Sequence, residues 1–392
     1  MPKLAPNSAE FPTAALLEWY RKNQRKLPFR PRKRGGRWEI KPNPYHVLVS
    51  EAMAQQTQIA TVVPYFERFV EAFPTVHDLA EADEQRVLTL WQGLGYYRRA
   101  RNLRAAARMI VDEFDGQVPK TAEKLLTLPG VGRYTAGAVA SVAYNTPAPI
   151  VDGNVARVFA RYFLLEDTID KPATLKQLWQ LADELVQVSA STSGGPRDFN
   201  QGVMELGATV CTPKSTKCLY CPLNDSCAAH AAGRVTELPV KTPKKKPVAV
   251  THTILAIHRN GKYLFEQRPA KGLWSNMWQM PTLEDSDASP LAGPLRGPGA
   301  SHNGNRLGPR SGPAKPDQLT AYIKQQFNLT VTPPEPVSTF THQTTHRTIQ
   351  FELTRCNVES GRLRPQYGEW RALDKLHDLP LAKPQLTAID LL

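Results

Sequence analysis

The chain has 392 residues, with 49 Lys and Arg against 36 Asp and Glu and a formal net charge of +13, enough length for two or three domains and a charge that favours a polyanionic partner. No run of eighteen apolar residues and no lipidation signal occurs, so no membrane partner is expected. The opening MPKLAPNSAEFPTAALLEWY has neither the apolar core of a signal peptide nor an Arg-rich, acid-free transit pattern, so a reducing cytoplasmic, nucleoid-associated setting is expected.

Residues 11 to 26 read as an amphipathic helix with Phe11, Leu16, Leu17, Trp19 and Tyr20 among basic residues. The stretch 25 to 45 breaks that pattern with prolines, a Gly pair and a dense basic run, and is expected to be a solvated loop, with phosphate contact as the other reading. From Tyr45 to about Asp115 short helices with three-four periodicity follow one another, as in a compact all-α domain. Residues 128 to 158, LPGVGRYTAGAVASVAYNTPAPIVDGNVARV, bring Gly130 and Gly132 to what reads as a turn too tight for side chains. Tyr134 opens a small-residue helix, and Asp152 stands at the start of the next. Outward amides at such a helix start suit a phosphate, while the Ala/Gly-rich continuation equally suits close helix packing.

Cys211, Cys218, Cys221 and Cys227 follow, four of the five cysteines. Four thiolates in so short a loop fit a metal centre better than disulfides, and spacing leaves structural zinc and a [4Fe-4S] cluster both open. Residues 233 to 250 have the Lys and Pro content of an interdomain linker. Beyond it THTILAIHRNGKYLFEQRP alternates as two strands around an Asn-Gly turn, the start of an α+β domain. Within that domain 284 to 317 is Pro-, Gly- and Ser-rich and is expected to be a disordered insertion.

Two carboxyls stand out. Glu51 is a lone acid in VLVSEAMA, where burial would raise its pKa and suit it to donate a proton; the plainer reading is an acid partnered in the core. Asp152 is either simply a helix N-cap or an anion favoured by that helix start. An acid and an anion with separated pKa values carry the logic of glycoside cleavage.

The cysteine spacing, the LPGVG hairpin and the Asp of VDGNV together resemble the endonuclease III and MutY superfamily of DNA glycosylases. VSEAMAQQTQIATVVPYFERF (49 to 69) and WQGLGYYRRARNLRAAA (91 to 107) look like its MutY branch, the adenine DNA glycosylases. The resemblance implies a multidomain protein. An all-α helix-hairpin-helix glycosylase core with an iron-sulfur loop precedes a C-terminal α+β Nudix-like domain. The implied division is 1–30 as an N-terminal helix packing with the cluster domain, 31–150 as the helical barrel with the hairpin, and 151–232 as the cluster domain. A linker at 233–250 then leads to an 8-oxoguanine recognition domain at 251–392.

It further implies excision of adenine mispaired with 8-oxoguanine or guanine in double-stranded DNA, by a monomer. Glu51 becomes the general acid, Asp152 the anion at the sugar, and Asn154 a positioning amide for Asp152 or water. Tyr134 stands where bifunctional relatives carry a Schiff-base Lys, which implies base removal without AP lyase. Gln56 and Tyr96, with Thr57 and Leu94 beside them, match positions that wedge into the duplex, and Arg30 matches an Arg near the catalytic carboxyl and adenine. The four loop cysteines become ligands of a [4Fe-4S] cluster. In the C-terminal domain Gln325 and Gln326 fall where a Nudix hydrolase needs glutamates, so binding is expected there rather than hydrolysis. Thr344, Thr345 and His346 align with the Phe-Ser-His loop that reads 8-oxoguanine. Phe29 for Trp, Ala54 for Leu and the lengthened loop after Arg30 depart from the pattern. A glycosylase for another mismatched base, or a non-catalytic lesion-binding protein, are the alternative readings.

Overall fold

The computed structural model describes residues 8–34, 37–243, 246–284 and 315–392. Contacts divide the chain into two compact units, Met1–Ala82 with Arg98–Lys244, and Asp83–Tyr97 with Lys245–Leu392. Most of the 284–317 insertion lies outside the described residues.

The first unit is helical. Its elements in order are α1 (Thr13–Asn23), a ribbon of β1 (Arg32–Arg34) and β2 (Arg37–Ile40), α2 (Pro44–Ala54), α3 (Ile59–Ala72) and α4 (Val76–Glu81). The next helix, α5 (Glu84–Trp91), belongs to the second unit. The first unit resumes with α6 (Arg98–Glu113), α7 (Ala122–Leu125), α8 (Arg133–Tyr144), α9 (Gly153–Tyr162), α10 (Pro172–Ser189), α11 (Gly195–Thr209) and α12 (Ala228–Ala231). The helix starts follow from their caps. Asn43 accepts from the amides of Tyr45 and His46 with Pro44 in the first turn of α2, and Thr75 and Asp78 form a reciprocal capping box on α4. Phe11 joins the N-terminal segment to the later helices, its ring 4.9 Å from Tyr162 and 6.0 Å from Phe199. The basic run expected to be a loop is instead partly ordered as an antiparallel ribbon, which pairs the backbone polar groups of Arg32, Lys33 and Arg34.

In the second unit β3 (Val248–Arg259) and β4 (Lys262–Gln267) form the expected hairpin, with Asn260 and Gly261 at positive φ as an Asn-Gly hairpin turn requires. Then come β5 (Trp278–Gln279), β6 (Thr282–Glu284), α13 (Pro316–Phe327), β7 (Leu329–Val331), β8 (Glu335–Gln343), β9 (Arg347–Gly361), β10 (Glu369–Arg371) and α14 (Lys383–Asp390). The main strand order is β10-β4-β3-β9-β7, with β3 and β9 parallel. Alternation along β3 sends Ile254 and Ala256 to one core with Phe351 and Ala388, and Leu255 and Ile257 to another with Ile323 and Phe327. A sheet covered on both faces explains why the middle of β3 is continuously apolar. The segment read as a linker is ordered at both ends of its run: Leu238 is buried, with its carbonyl 2.8 Å from Arg161 Nε, and β3 already begins at Val248.

Candidate active site

Glu51 lies on the last turns of α2, Tyr134 on the first turn of α8, and Asp152 caps α9. Glu51 keeps some exposed surface as a residue, but its carboxyl is enclosed, and burial pushes it up to about 7. The Tyr134 hydroxyl donates toward it and Arg30 favours its anion, while Asp152 opposes ionisation. The same hydroxyl lies 3.4 Å from Met204 Sδ, and burial with both carboxylates nearby holds the phenol far above its usual range. Glu51 and Asp152 are therefore close enough to sense each other, with Tyr134 beside both.

The Asp152 carboxylate accepts from the Asn154 amide at 2.9 Å, the Val155 amide at 2.7 Å and Asn154 Nδ2 at 2.8 Å. Burial raises this acid above its ordinary value; these bonds oppose that rise and do not cancel it, so the helix start alone does not set its charge as expected from the sequence. Asn154 is itself held, its Oδ1 accepting from Arg157 Nη2 at 2.8 Å. A Cβ on Gly207 would come within 2.7 Å of Asn154 Cβ, so α11 passes this close only with glycine there. Arg157, buried on α9, donates also to the carbonyls of Gly153, Gly207 and Cys211. It ties the Asp152 cap to the cysteine loop, a role that sequence reasoning missed.

Arg30 is buried and its Nη2 lies 2.8 Å from Glu205 Oε2; Arg25 holds the other oxygen at 2.7 Å through Nε. Burial alone would raise Glu205, but the two guanidiniums keep its carboxyl below the usual range. Glu205 was also missed, since nothing in NQGVMELGATVC marks it. Phe29, in the place of the expected Trp, packs edge-on against Phe66 at 5.1 Å.

After α2 the chain turns through Gln55, Gln56 and Thr57. Gln56 has φ 57°, a conformation that costs a non-glycine residue, as found at strained functional positions. Arg99 on α6 secures this turn: its Nη1 reaches the carbonyls of Ala52 (3.0 Å), Met53 (2.7 Å) and Gln55 (2.5 Å), and its Nη2 the Thr57 hydroxyl (3.2 Å). A cleft beside it is lined by Gln55, Arg99, Asn102, Gly130 and Thr135, among others.

At the hairpin between α7 and α8, Gly130 has φ 75° and an added Cβ would stand 2.6 Å from Asn102 Cβ. Gly132 differs from expectation: its φ is ordinary, and a Cβ there would meet nothing of the chain within 4 Å.

In the second unit Tyr96 is exposed with φ 49°, while Leu94 beside it is buried rather than exposed. The Tyr96 hydroxyl is 2.9 Å from the Thr345 hydroxyl, so two predicted recognition residues meet. Thr345 and His346 are exposed in the β8–β9 turn. Thr344 is turned inward: its amide and hydroxyl face the Arg347 carbonyl at 2.8 and 3.1 Å, which closes the turn.

Cys211, Cys218, Cys221 and Cys227 are all half-buried free thiols and line one largely apolar pocket with Arg161, Asn224 and His230. Burial pushes the Cys221 thiol up to about 12, and the Cys211 sulfur accepts from Arg161 Nη1 at 3.2 Å. Among the described residues no three metal-ligating side chains converge on a single ion position. The four cysteines line one space, and as soft donors their sulfurs suit an iron-sulfur group.

The model of the HhH-GPD superfamily of base excision DNA repair proteins matches residues 49–184, and that of the NUDIX domain residues 252–391. Together with the hairpin, the carboxyl pair and the cysteine loop, they define a base excision repair protein of the helix-hairpin-helix class with a C-terminal Nudix-type domain. The adenine DNA glycosylase of Buchnera aphidicola (subsp. Schizaphis graminum, strain Sg) is 34% identical over 270 residues, covering 69% of this chain and 74% of that relative. Those of Rattus norvegicus (46% over 228 residues, 57% of this chain and 43% of the relative) and Homo sapiens (37% over 315, 69% and 57%) also match. The chain spans 43% to 61% of the length of the plant and mammalian relatives. It belongs to the adenine DNA glycosylase family.

Proposed function

We propose that the chain is a monofunctional glycosylase that removes adenine mispaired with 8-oxoguanine, or with guanine, from duplex DNA in base excision repair, acting as a monomer. The observation that carries this reading is one enclosed acid protonated near neutrality, Glu51, beside a second carboxyl, Asp152, supplied with three N–H donors. Adenine is a poor leaving group as an anion. Protonation at N7 by Glu51 lets it depart neutral, the Asp152 anion stabilises the oxocarbenium-like sugar left behind, and water adds at C1′ as the Glu51 carboxylate takes its proton. Asn154 keeps that anion aimed, and Tyr134 orients the Glu51 carboxyl.

A phenol cannot form an imine with the abasic sugar, so the product expected is an intact strand with an abasic site. Thr345 would accept from the N7–H of 8-oxoguanine, a donor that guanine lacks. The loop cysteines would hold a [4Fe-4S] cluster that supplies local structure and charge rather than an open coordination position.

Single-turnover release of adenine from an A:8-oxoguanine duplex tests the reading. Release by the wild type with loss in Glu51→Gln is the expected result, and no release by the wild type overturns it. Strand breaks that accumulate as fast as free adenine would remove the monofunctional assignment. Iron and acid-labile sulfide in the purified protein test the cluster, and zinc alone would exclude it.

A further inference from the structure

The basic stretch after Arg30 folds as the β1–β2 ribbon, with Arg32 opposite Ile40, Lys33 opposite Trp38 and Arg34 opposite Arg37. Between positions 31 and 41 the sequence carries Arg32, Lys33, Arg34, Arg37 and Lys41 against Glu39 alone. Arg32 is matched across the strands, its Nε 2.7 Å from Glu39 Oε2. Arg37 and Lys41 are exposed.

Three attachments fix the ribbon to the elements of the candidate active site. Arg30, just before it, is locked to Glu205 on α11. Asn43, just after it, caps α2, which carries Glu51. Between them Trp38 lies under the Arg197 guanidinium, 5.3 Å from its ring centroid, and Arg197 in turn donates to the carbonyls of Val142 (2.6 Å) and Ala143 (3.0 Å) in the last turn of α8. A merely solvated charge run needs no such anchoring. A ribbon held at both ends and in the middle presents its cations with part of their ordering entropy already removed.

The geometry points to the β1–β2 ribbon as a DNA-backbone arm that contacts duplex phosphates flanking the mispair without reading bases. This inference rests on the glycosylase reading for the identity of the polyanion. Phosphate contact of this kind is sequence-independent and strongly salt-dependent.

The test uses the full-length holoprotein, an undamaged duplex of about 30 base pairs and the same duplex with a stable abasic analogue, with binding followed by anisotropy from about 50 to 200 mM salt. In Arg37→Ala/Lys41→Ala the plot of log affinity against log salt should become shallower by about 1.8, at about 0.9 for each phosphate that is no longer neutralised. Its excision rate at saturating enzyme should stay within about twofold of wild type. Trp38→Ala keeps every charge but releases the anchor. It should bind about 3- to 10-fold more weakly with the salt slope retained, and Trp38→Phe should restore binding.

An unchanged slope and affinity in the double variant overturns the inference, and is also what an arm facing an acidic protein segment would give. A fall in the saturating excision rate with affinity intact overturns it as well. Because undamaged duplex serves as ligand, ribbon-dependent binding in a protein that releases no adenine would sink the glycosylase reading and leave the arm standing.

Discussion

Glu51 is held in place more favourably with its proton than without it. Its folded pKa of about 7 stands above the ordinary value of 4.5, so the folded state binds that proton more tightly than the unfolded state does. The resulting stability is fully present below about pH 4.5 and is lost as pH rises through about 7. Glu51→Gln, which removes the ionisation, should therefore be more stable than wild type at pH 8, by up to about 3 kcal/mol, and indistinguishable near pH 4. Urea unfolding at the two pH values checks this; equal stabilities at pH 8 would mean that the acid is not desolvated. In the proposed mechanism the same proton sets the chemistry. Single-turnover excision should fall about tenfold per pH unit above 7, and Glu51→Gln should lose about 10²- to 10⁴-fold below pH 7, a gap that narrows as the wild type loses its proton. Glu51 was legible because a carboxyl in an apolar run asks for a reason. Glu205 was not, since its burial is explained by Arg25 and Arg30, about 180 residues earlier in sequence, and no local pattern connects them.

At the scale of elements, the C-terminal end of α2 is the joint of the site. Its last carbonyls receive a guanidinium from α6, so that Arg99 acts as a charged C-cap for the helix that carries Glu51 and holds the turn that carries Gln56. Arg99→Met should cost about 1.5–3 kcal/mol in urea unfolding, as expected for removal of bonds to a charged group. It should also reduce flipping, read as 2-aminopurine fluorescence at the target position, more than it shifts the pH midpoint of excision. Arg99→Lys should recover only part of either effect, because an ammonium cannot span the same carbonyls with a planar fork. A shifted pH midpoint with normal flipping would place Arg99 in the acid's electrostatics instead.

Periodicity and caps made most helices and the β3–β4 hairpin readable before the structure. The β1–β2 ribbon escaped because its order comes from Trp38 meeting Arg197 across the fold. The opened space at Gly132 escaped for a related reason: a glycine in a turn motif does not reveal whether it avoids a clash or leaves room.

Across the whole molecule, the sequence order of motifs is not the spatial order of the segments. Residues 83–97, read as part of the helical core, cluster with the C-terminal sheet unit. Their bonds are specific: Glu84 Oε1 accepts from Asn276 Nδ2 at 2.6 Å, Gln85 Oε1 from Trp278 Nε1 at 3.2 Å, and Gln92 Oε1 from the Leu381 amide at 2.9 Å. The segment that presents Tyr96 is thus built together with the turn that presents Thr345, and their hydroxyls meet. Two variants separate recognition from support. Thr345→Val should reduce the preference for A:8-oxoguanine over A:G by about 3- to 10-fold, the size of one neutral hydrogen bond, with the melting temperature unchanged. Removal of residues 246–392 should abolish that preference and also lower the melting temperature, by about 2–4 °C for each kcal/mol of stability removed, because α5 forfeits these partners. Adenine release from A:G duplexes by the shortened chain would then fall with the loss of an ordered Tyr96. If the shortened chain instead keeps wild-type release and melting, residues 83–97 hold their conformation without the sheet.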